Sequence, residues 1–231
     1  MFSRLNHLAI TTDQYTLLGM FYRAYFGMKV SGVTEREQSA ISVGDGYVGV
    51  TLIPRRPGRR GGLDHFGIEV EDFDLSQPGH DNRAEVYEMD SWKQEMSIDH
   101  FGIRVREPER VAAFYSDVFE LEARNVDIDD GSYHLTDGRV TLSILPWKIS
   151  DFNGTGIEQP AMDHIGFRTS DLDAFIKNAE KLKTQNPGLW PRDIAFNDEG
   201  EARLALLKRC PHGSFQLADP DGTLIDIHQD H

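Results

Sequence analysis

The chain has 231 residues, a formal charge of −14, nine histidines and a single cysteine. That length allows one large domain or two ordinary ones with a proper core, and a lone cysteine cannot form an internal disulfide. The acidity disfavours phosphate backbones and anionic lipid, no stretch approaches the roughly 20 apolar residues of a membrane span, and no apolar leader precedes the first strand. The expectation is therefore a cytoplasmic protein with a small-molecule partner, with no nucleic acid or membrane as partner.

Taken in order, the chain writes one phrase four times: Leu5-Asn6-His7-Leu8-Ala9-Ile10, Leu63-Asp64-His65-Phe66-Gly67-Ile68, Ile98-Asp99-His100-Phe101-Gly102-Ile103 and Met162-Asp163-His164-Ile165-Gly166-Phe167. Each holds a histidine with a small residue two places on, inside an alternating apolar pattern. Alternation of this kind is a half-buried strand. One face would pack under helices, while the other offers His-x-Gly to a space kept open by missing side chains.

After the first such strand, apolar residues at helical spacing predict a helix over 14–26, with Asp13 as N-cap and Gly27 as stop. Strands follow near 29–34, 39–43 and 47–53, the last two joined by Gly44-Asp45-Gly46. The Arg55 to Gly62 stretch reads as a solvated linker into the second histidine strand. Only 35 positions separate His65 from His100, too few for a helix and three strands, so this second module is truncated, with one strand expected near 84–89. The third module is complete: Pro108 opens a helix, and strands are expected near 122–128, 132–135 and 139–145. The fourth begins at about 161, continues into a helix capped by Asp171, and has a segment near 192–196 readable as strand and one near 201–209 readable as helix or strand. It closes on strands at 215–218 and 223–228 around Asp219-Pro220-Asp221-Gly222.

The spacings repeat. His7 recurs at His100, Asp45-Gly46 at Asp137-Gly138, and Ile53-Pro54 at Leu145-Pro146, at offsets of 92 or 93 (100 − 7 = 93; 137 − 45 = 92). The reading is α+β: repeated βαβββ modules forming curved mixed sheets, duplicated into an N-terminal pair over 1–95, its second module truncated, and a C-terminal pair over 96–231.

Four histidine strands in a duplicated chain, ending in Asp-Pro-Asp-Gly-x-x-Ile-Asp, resemble the vicinal oxygen chelate superfamily, which includes extradiol ring-cleaving dioxygenases, glyoxalases, epimerases, and antibiotic-resistance and binding proteins. The resemblance implies a divalent metal held by His100 and His164 from the first strands of the third and fourth modules, and by Asp226 from the last strand, where the family usually has glutamate. His228, on the same face, is the alternative third ligand. The matching place in the third module, four after Gly138, reads Leu142, so a fourth ligand of the glyoxalase kind is missing. Two imidazoles and one carboxylate suit non-haem Fe(II), with Mn(II), Zn(II) or Ni(II) as alternatives. His212 stands in for the family's acid–base histidine, though closer to the final hairpin than the signature places it, and Gln216 occupies the family's tyrosine position. Arg104 and Arg168, four places after their histidines, would meet either an anionic substrate or acidic side chains.

The implied activity is an extradiol-type dioxygenase on a small aromatic or other vicinal-dioxygen substrate, in a homo-oligomer. The alternatives are a redox-neutral lyase, isomerase or hydrolase using a divalent metal, and a metal-free small-molecule binding protein. A single metal is expected, in the C-terminal half. The N-terminal half is expected to be a lid or dimerisation surface.

Overall fold

A computed structural model describes residues 3–33, 40–70, 96–124, 130–150, 160–195, 197–208 and 213–229. The N-terminal strands are β1 (Ser3–Thr12), β2 (Lys29–Val33), β3 (Ile41–Gly44), β4 (Gly49–Pro54) and β5 (Gly62–Val70), with helix α1 (Tyr15–Phe26) after β1. The C-terminal elements are β6 (Met96–Val105), α2 (Pro108–Phe119), β7 (Glu122–Ala123), β8 (Tyr133–Thr136), β9 (Thr141–Pro146), β10 (Ala161–Thr169), α3 (Leu172–Gln185), α4 (Asp198–Leu207), β11 (Phe215–Ala218) and β12 (Leu224–Gln229). Among the described residues no helix is long and apolar enough to cross a membrane.

Two curved mixed sheets result, ordered β2-β3-β4-β1-β5 and β11-β12-β10-β6-β9-β8-β7. The run β2-β3-β4-β1 repeats as β7-β8-β9-β6, which is the duplication expected from the offsets. Where β12 and then β11 extend the second sheet beyond β10, β5 stands as the edge strand of the first among the described residues. The strand expected near 84–89 lies outside the described residues.

Local chemistry accounts for most element ends. Gly27 closes α1 with φ at 66°, where a side chain would be strained. Asp171 accepts from Ala174 N at the start of α3. The cap expected at Asp13 is instead Gln14, whose backbone N–H donates to Thr12 Oγ1 at 2.9 Å, while Asp13 pairs with Arg55. The segment near 201–209 is helical, and the strand expected at 192–196 reduces to one bridge between Arg192 and Ala218.

One cluster of buried apolar side chains runs through both halves. Phe26 of α1 stacks on Phe167 of β10 with ring centroids 4.0 Å apart, and on Phe175 of α3. Polar clasps add to this packing. Asp45 Oδ2 accepts from Ile98 N at 2.7 Å, and Asp137 Oδ2 accepts from Leu5 N at 2.7 Å. Each turn aspartate thus holds the first strand of the other half, two residues before His100 or His7. In the final turn, Asp219 accepts from Tyr22 Oη at 3.0 Å.

Candidate metal centre

The four histidine strands do not alternate strictly. In each, the residue before the histidine is an unpaired extra residue in the ladder: Asn6 lies between Leu5↔Ile68 and His7↔Gly67, Asp64 between Ala9↔His65 and Ile10↔Leu63, Asp99 between Gly166↔His100 and Phe167↔Ile98, and Asp163 between Met162↔Ile103 and His164↔Gly102. A bulge re-aims the side chain it carries. Every one of these Asn or Asp side chains reaches the Nδ1 of the next histidine: Asn6–His7 at 3.2 Å, Asp64–His65 at 2.7 Å, Asp99–His100 at 3.0 Å and Asp163–His164 at 2.8 Å. The sequence displayed all four, yet an alternating strand puts neighbours on opposite faces, so the pairing was hidden until the bulges appeared.

His100 and His164 then lie across each other's strands. A Cβ on Gly102 would stand within 2.9 Å of Cε1, Nδ1 and Nε2 of His164, and one on Gly166 would overlap the His100 ring. Glycine at these two places makes room for the rings. The two Nε2 atoms come to 3.1 Å, and Asp226 Oδ2 lies 3.6 Å from His100 Nε2. All three side chains are 0% exposed.

The donor set fits a cation. An imidazole whose Nδ1–H is given to a carboxylate presents a lone pair at Nε2. Two such lone pairs and a carboxylate therefore face one another in a dry interior. Among the described residues Asp226 Oδ2 has no hydrogen-bond partner, an arrangement costly to bury without positive charge. Ligand atoms roughly 2.1 Å from one ion at right angles stand about 3 Å apart, matching the Nε2 pair. His100, His164 and Asp226 are also brought together as one cluster whose candidate donor atoms all lie within 4.8 Å.

The surroundings orient the three groups. Gln216 Nε2 donates to Asp226 Oδ1 at 3.0 Å, leaving Oδ2 to face the imidazoles. Gly213 lies so close that a Cβ there would overlap the Asp226 carboxylate. Arg104 pairs with Asp163 (Nε to Oδ1, 2.6 Å), so that arginine meets an acidic side chain. Burial pushes the Asp163 carboxyl up, but the His164 hydrogen bond and the Arg104 guanidinium override it and bring it down to about 2. Arg168 donates to Ser97 Oγ at 2.9 Å.

His228 faces Asp99, with Nδ1 3.4 Å from Oδ2, so it stands beside the carboxylate behind His100 and outside the three-residue cluster. His212 lies outside the described residues. One position needs correction. Register matches Asp226, opposite Gly166, to Ser143, opposite Gly102, whereas Leu142 lies opposite Phe101. The turn before β9 is one residue longer than counting from the glycine suggests, and the fourth place still has no carboxylate.

Ser143 exposes a group that sequence reading missed. Its Oγ is 3.1 Å from His134 Nδ1, His134 Nε2 is 3.1 Å from Ser132 Oγ, and Ser132 Oγ donates to the exposed Asp130. Burial pushes His134 down to about 4 against the pull of Asp130, and nearby His100 and Arg124 add to the fall. His134 is then neutral at pH 7. No sequence motif marked it, because its partners come from β9 and the turn before β8.

A groove of about 400 Å³ lies elsewhere, lined by His65, Phe66, Phe114, Tyr115 and Met162 among others, and none of the three clustered residues borders it.

Comparisons agree with this architecture. The chain resembles a xylose isomerase-like TIM barrel/4-hydroxyphenylpyruvate dioxygenase fusion protein (TM-score 0.59, 13% identity, 99% of this chain), of which it spans about half, 49%. It also resembles homoprotocatechuate 2,3-dioxygenase from Arthrobacter globiformis (0.57, 15%, 98% of this chain and 79% of that one) and BphC, a halotolerant catechol dioxygenase (0.61, 10%, 100% and 87%). At these identities the likeness is one of fold. No curated protein matches the sequence. The model of the Glyoxalase/Bleomycin resistance protein/Dioxygenase superfamily matches residues 97–227, more than half of the chain and the whole of the three-residue cluster, and the chain belongs to that superfamily.

Proposed function

We propose that the chain is a metal-dependent dioxygenase that cleaves a small aromatic vicinal diol, with Fe(II) held by His100, His164 and Asp226. The observation that supports this reading is the unpartnered Asp226 Oδ2 facing two preset imidazole lone pairs, with Ser143 in place of a fourth ligand. Two imidazoles and one carboxylate leave positions for both oxygens of a diol and for dioxygen, and iron there would lower the entropic cost of their meeting and carry electrons between them.

The remaining work falls to the chain. Asp99 and Asp163 keep Nδ1 of each ring protonated and so hold Nε2 as acceptor. Gln216 fixes which Asp226 oxygen points inward. His212 is the proton carrier in this reading. His134, bonded to Ser143 Oγ at Nδ1 and to Ser132 Oγ at Nε2, is too weak a base to hold a proton at pH 7 and would only relay one, accepting at one ring nitrogen as it gives at the other, towards Asp130. The 1–95 half supports the metal-bearing 96–231 half, and the β5 edge is where a second copy of the chain would assemble.

The test is oxygen uptake by Fe(II)-loaded protein supplied with a catechol. Dioxygen and diol should disappear in equal amounts, and His164→Ala should abolish both losses together with bound iron. Turnover without oxygen uptake would move the reading to a redox-neutral lyase or isomerase using Mn(II), Zn(II) or Ni(II). Full iron content in His164→Ala would remove the ligand assignment.

A further inference from the structure

We propose that His7 and His65 form a second cation site, open to solvent, which takes one imidazole-preferring divalent transition ion such as Zn²⁺ or Ni²⁺ more weakly than the buried cluster does. The two rings stand on neighbouring antiparallel strands, 5.5 Å apart between centroids and at 90°, against 5.1 Å and 76° for His100 and His164. Both Nδ1 atoms are engaged by the bulged residue before them, Asn6 Oδ1 and Asp64 Oδ2. Both Nε2 atoms are therefore left as acceptors, the state a metal requires.

His7 is seated as its buried counterpart His100 is: a Cβ on Gly67, opposite it, would stand within 2.9 Å of Cε1, Nδ1 and Nε2 of the His7 ring, as one on Gly166 would overlap the His100 ring. His65 differs. Its cross-strand partner is Ala9, whose methyl fills the place that Gly102 leaves vacant for a ring, and the His65 side chain stands 49% exposed. Thr51, opposite Ala9, offers a hydroxyl already shared with Ser42, and no carboxylate strand follows β5 among the described residues. Two imidazoles with water in the other positions suit a borderline divalent ion. The absent carboxylate and the half-exposed ring make the site the weaker of the two.

The experiment is a Zn²⁺ titration of the chelator-stripped full chain by equilibrium dialysis. Two phases are expected, one ion each. His65→Asn, at an exposed side chain, should remove the weak phase and leave the tight one. Ala9→Gly should let His65 swing inward and tighten the weak phase at least threefold with the tight phase unchanged. A weak phase that survives His65→Asn, the absence of any ion beyond the first, or indifference to Ala9→Gly would each overturn the proposal. His164→Ala reports separately on the buried cluster: if it spares the tight phase, that assignment fails while His65→Asn still decides this one.

Discussion

His100 and His164 are wholly buried and meet a carboxylate; His7 and His65 grow from the same repeated phrase and carry the same bulge, with Asn6 and Asp64 as orienting side chains, yet His7 is only half-buried and His65 half-exposed. What separates the pairs is small. His65 stands opposite Ala9 where His164 stands opposite a glycine, and among the described residues no strand beside β5 matches β12, which supplies Asp226. An orienting partner is thus inexpensive to keep through duplication, whereas a closed cluster depends on empty space at two glycines and on a strand from the far end of the module.

The largest test of that contrast is to move the methyl. Gly166→Ala places a Cβ inside the His100 ring and should cost at least about a hundredfold in tight metal binding, read by dialysis, because the ring cannot stay in place. Gly67→Ala, the matching change in the other half, should leave the tight ion untouched. Next in size, Asp163→Asn and Asp99→Asn should each weaken the tight ion by about 10–100-fold, the usual scale for partners behind a ligand, with iron lost first on dilution into chelator. Asn6→Ala should not alter it. A smaller effect concerns stability. Tyr22→Phe removes the donor to buried Asp219 and should destabilise by about 1–3 kcal/mol in urea, without changing metal stoichiometry.

The smallest effect is in pH. Burial lowers His134 from its ordinary 6.5 to about 4, so the folded chain binds fewer protons than the unfolded one between those values. The contribution is fully present above about pH 6.5 and is lost as pH falls towards 4. Buried Asp219 is raised to about 6, chiefly by burial, and acts oppositely: its protonated form favours the fold, and that contribution fades as pH rises from about 4 to 6. Melting temperature against pH should therefore change less steeply over this window than either group alone would give. His134→Gln should uncover the Asp219 slope, so that the variant loses stability as pH rises from 4 to 6. If its profile matches that of the parent chain, His134 does not titrate as described.

Much of this was legible beforehand. Period-two alternation and the 92-residue offset were enough to anticipate the repeated strand modules, because strand pattern and turn residues are local properties. The cluster was reached through the resemblance, and its members do converge. Less could be read where register matters. A bulge adds one residue to one strand, and neither strand alone reveals it, so Asp99 and Asp163 were seen without a role. The same one-residue ambiguity put Leu142 where Ser143 stands. His134 and Gln216 act through partners 9 and 10 residues away on neighbouring strands, and Asp13, the expected cap of α1, pairs instead with Arg55, 42 residues on.

The reciprocal clasp between Asp45 and Ile98 N, and between Asp137 and Leu5 N, makes the two halves mutual templates. Making residues 96–231 without residues 1–95 would strand the amide of Ile98 without its acceptor, two residues before His100, and the converse would do the same to Leu5 before His7. The N-terminal half thus supplies the acceptor that holds the strand carrying the first buried imidazole. A lineage that discarded it, as a redundant copy, would lose the alignment of the copy it kept.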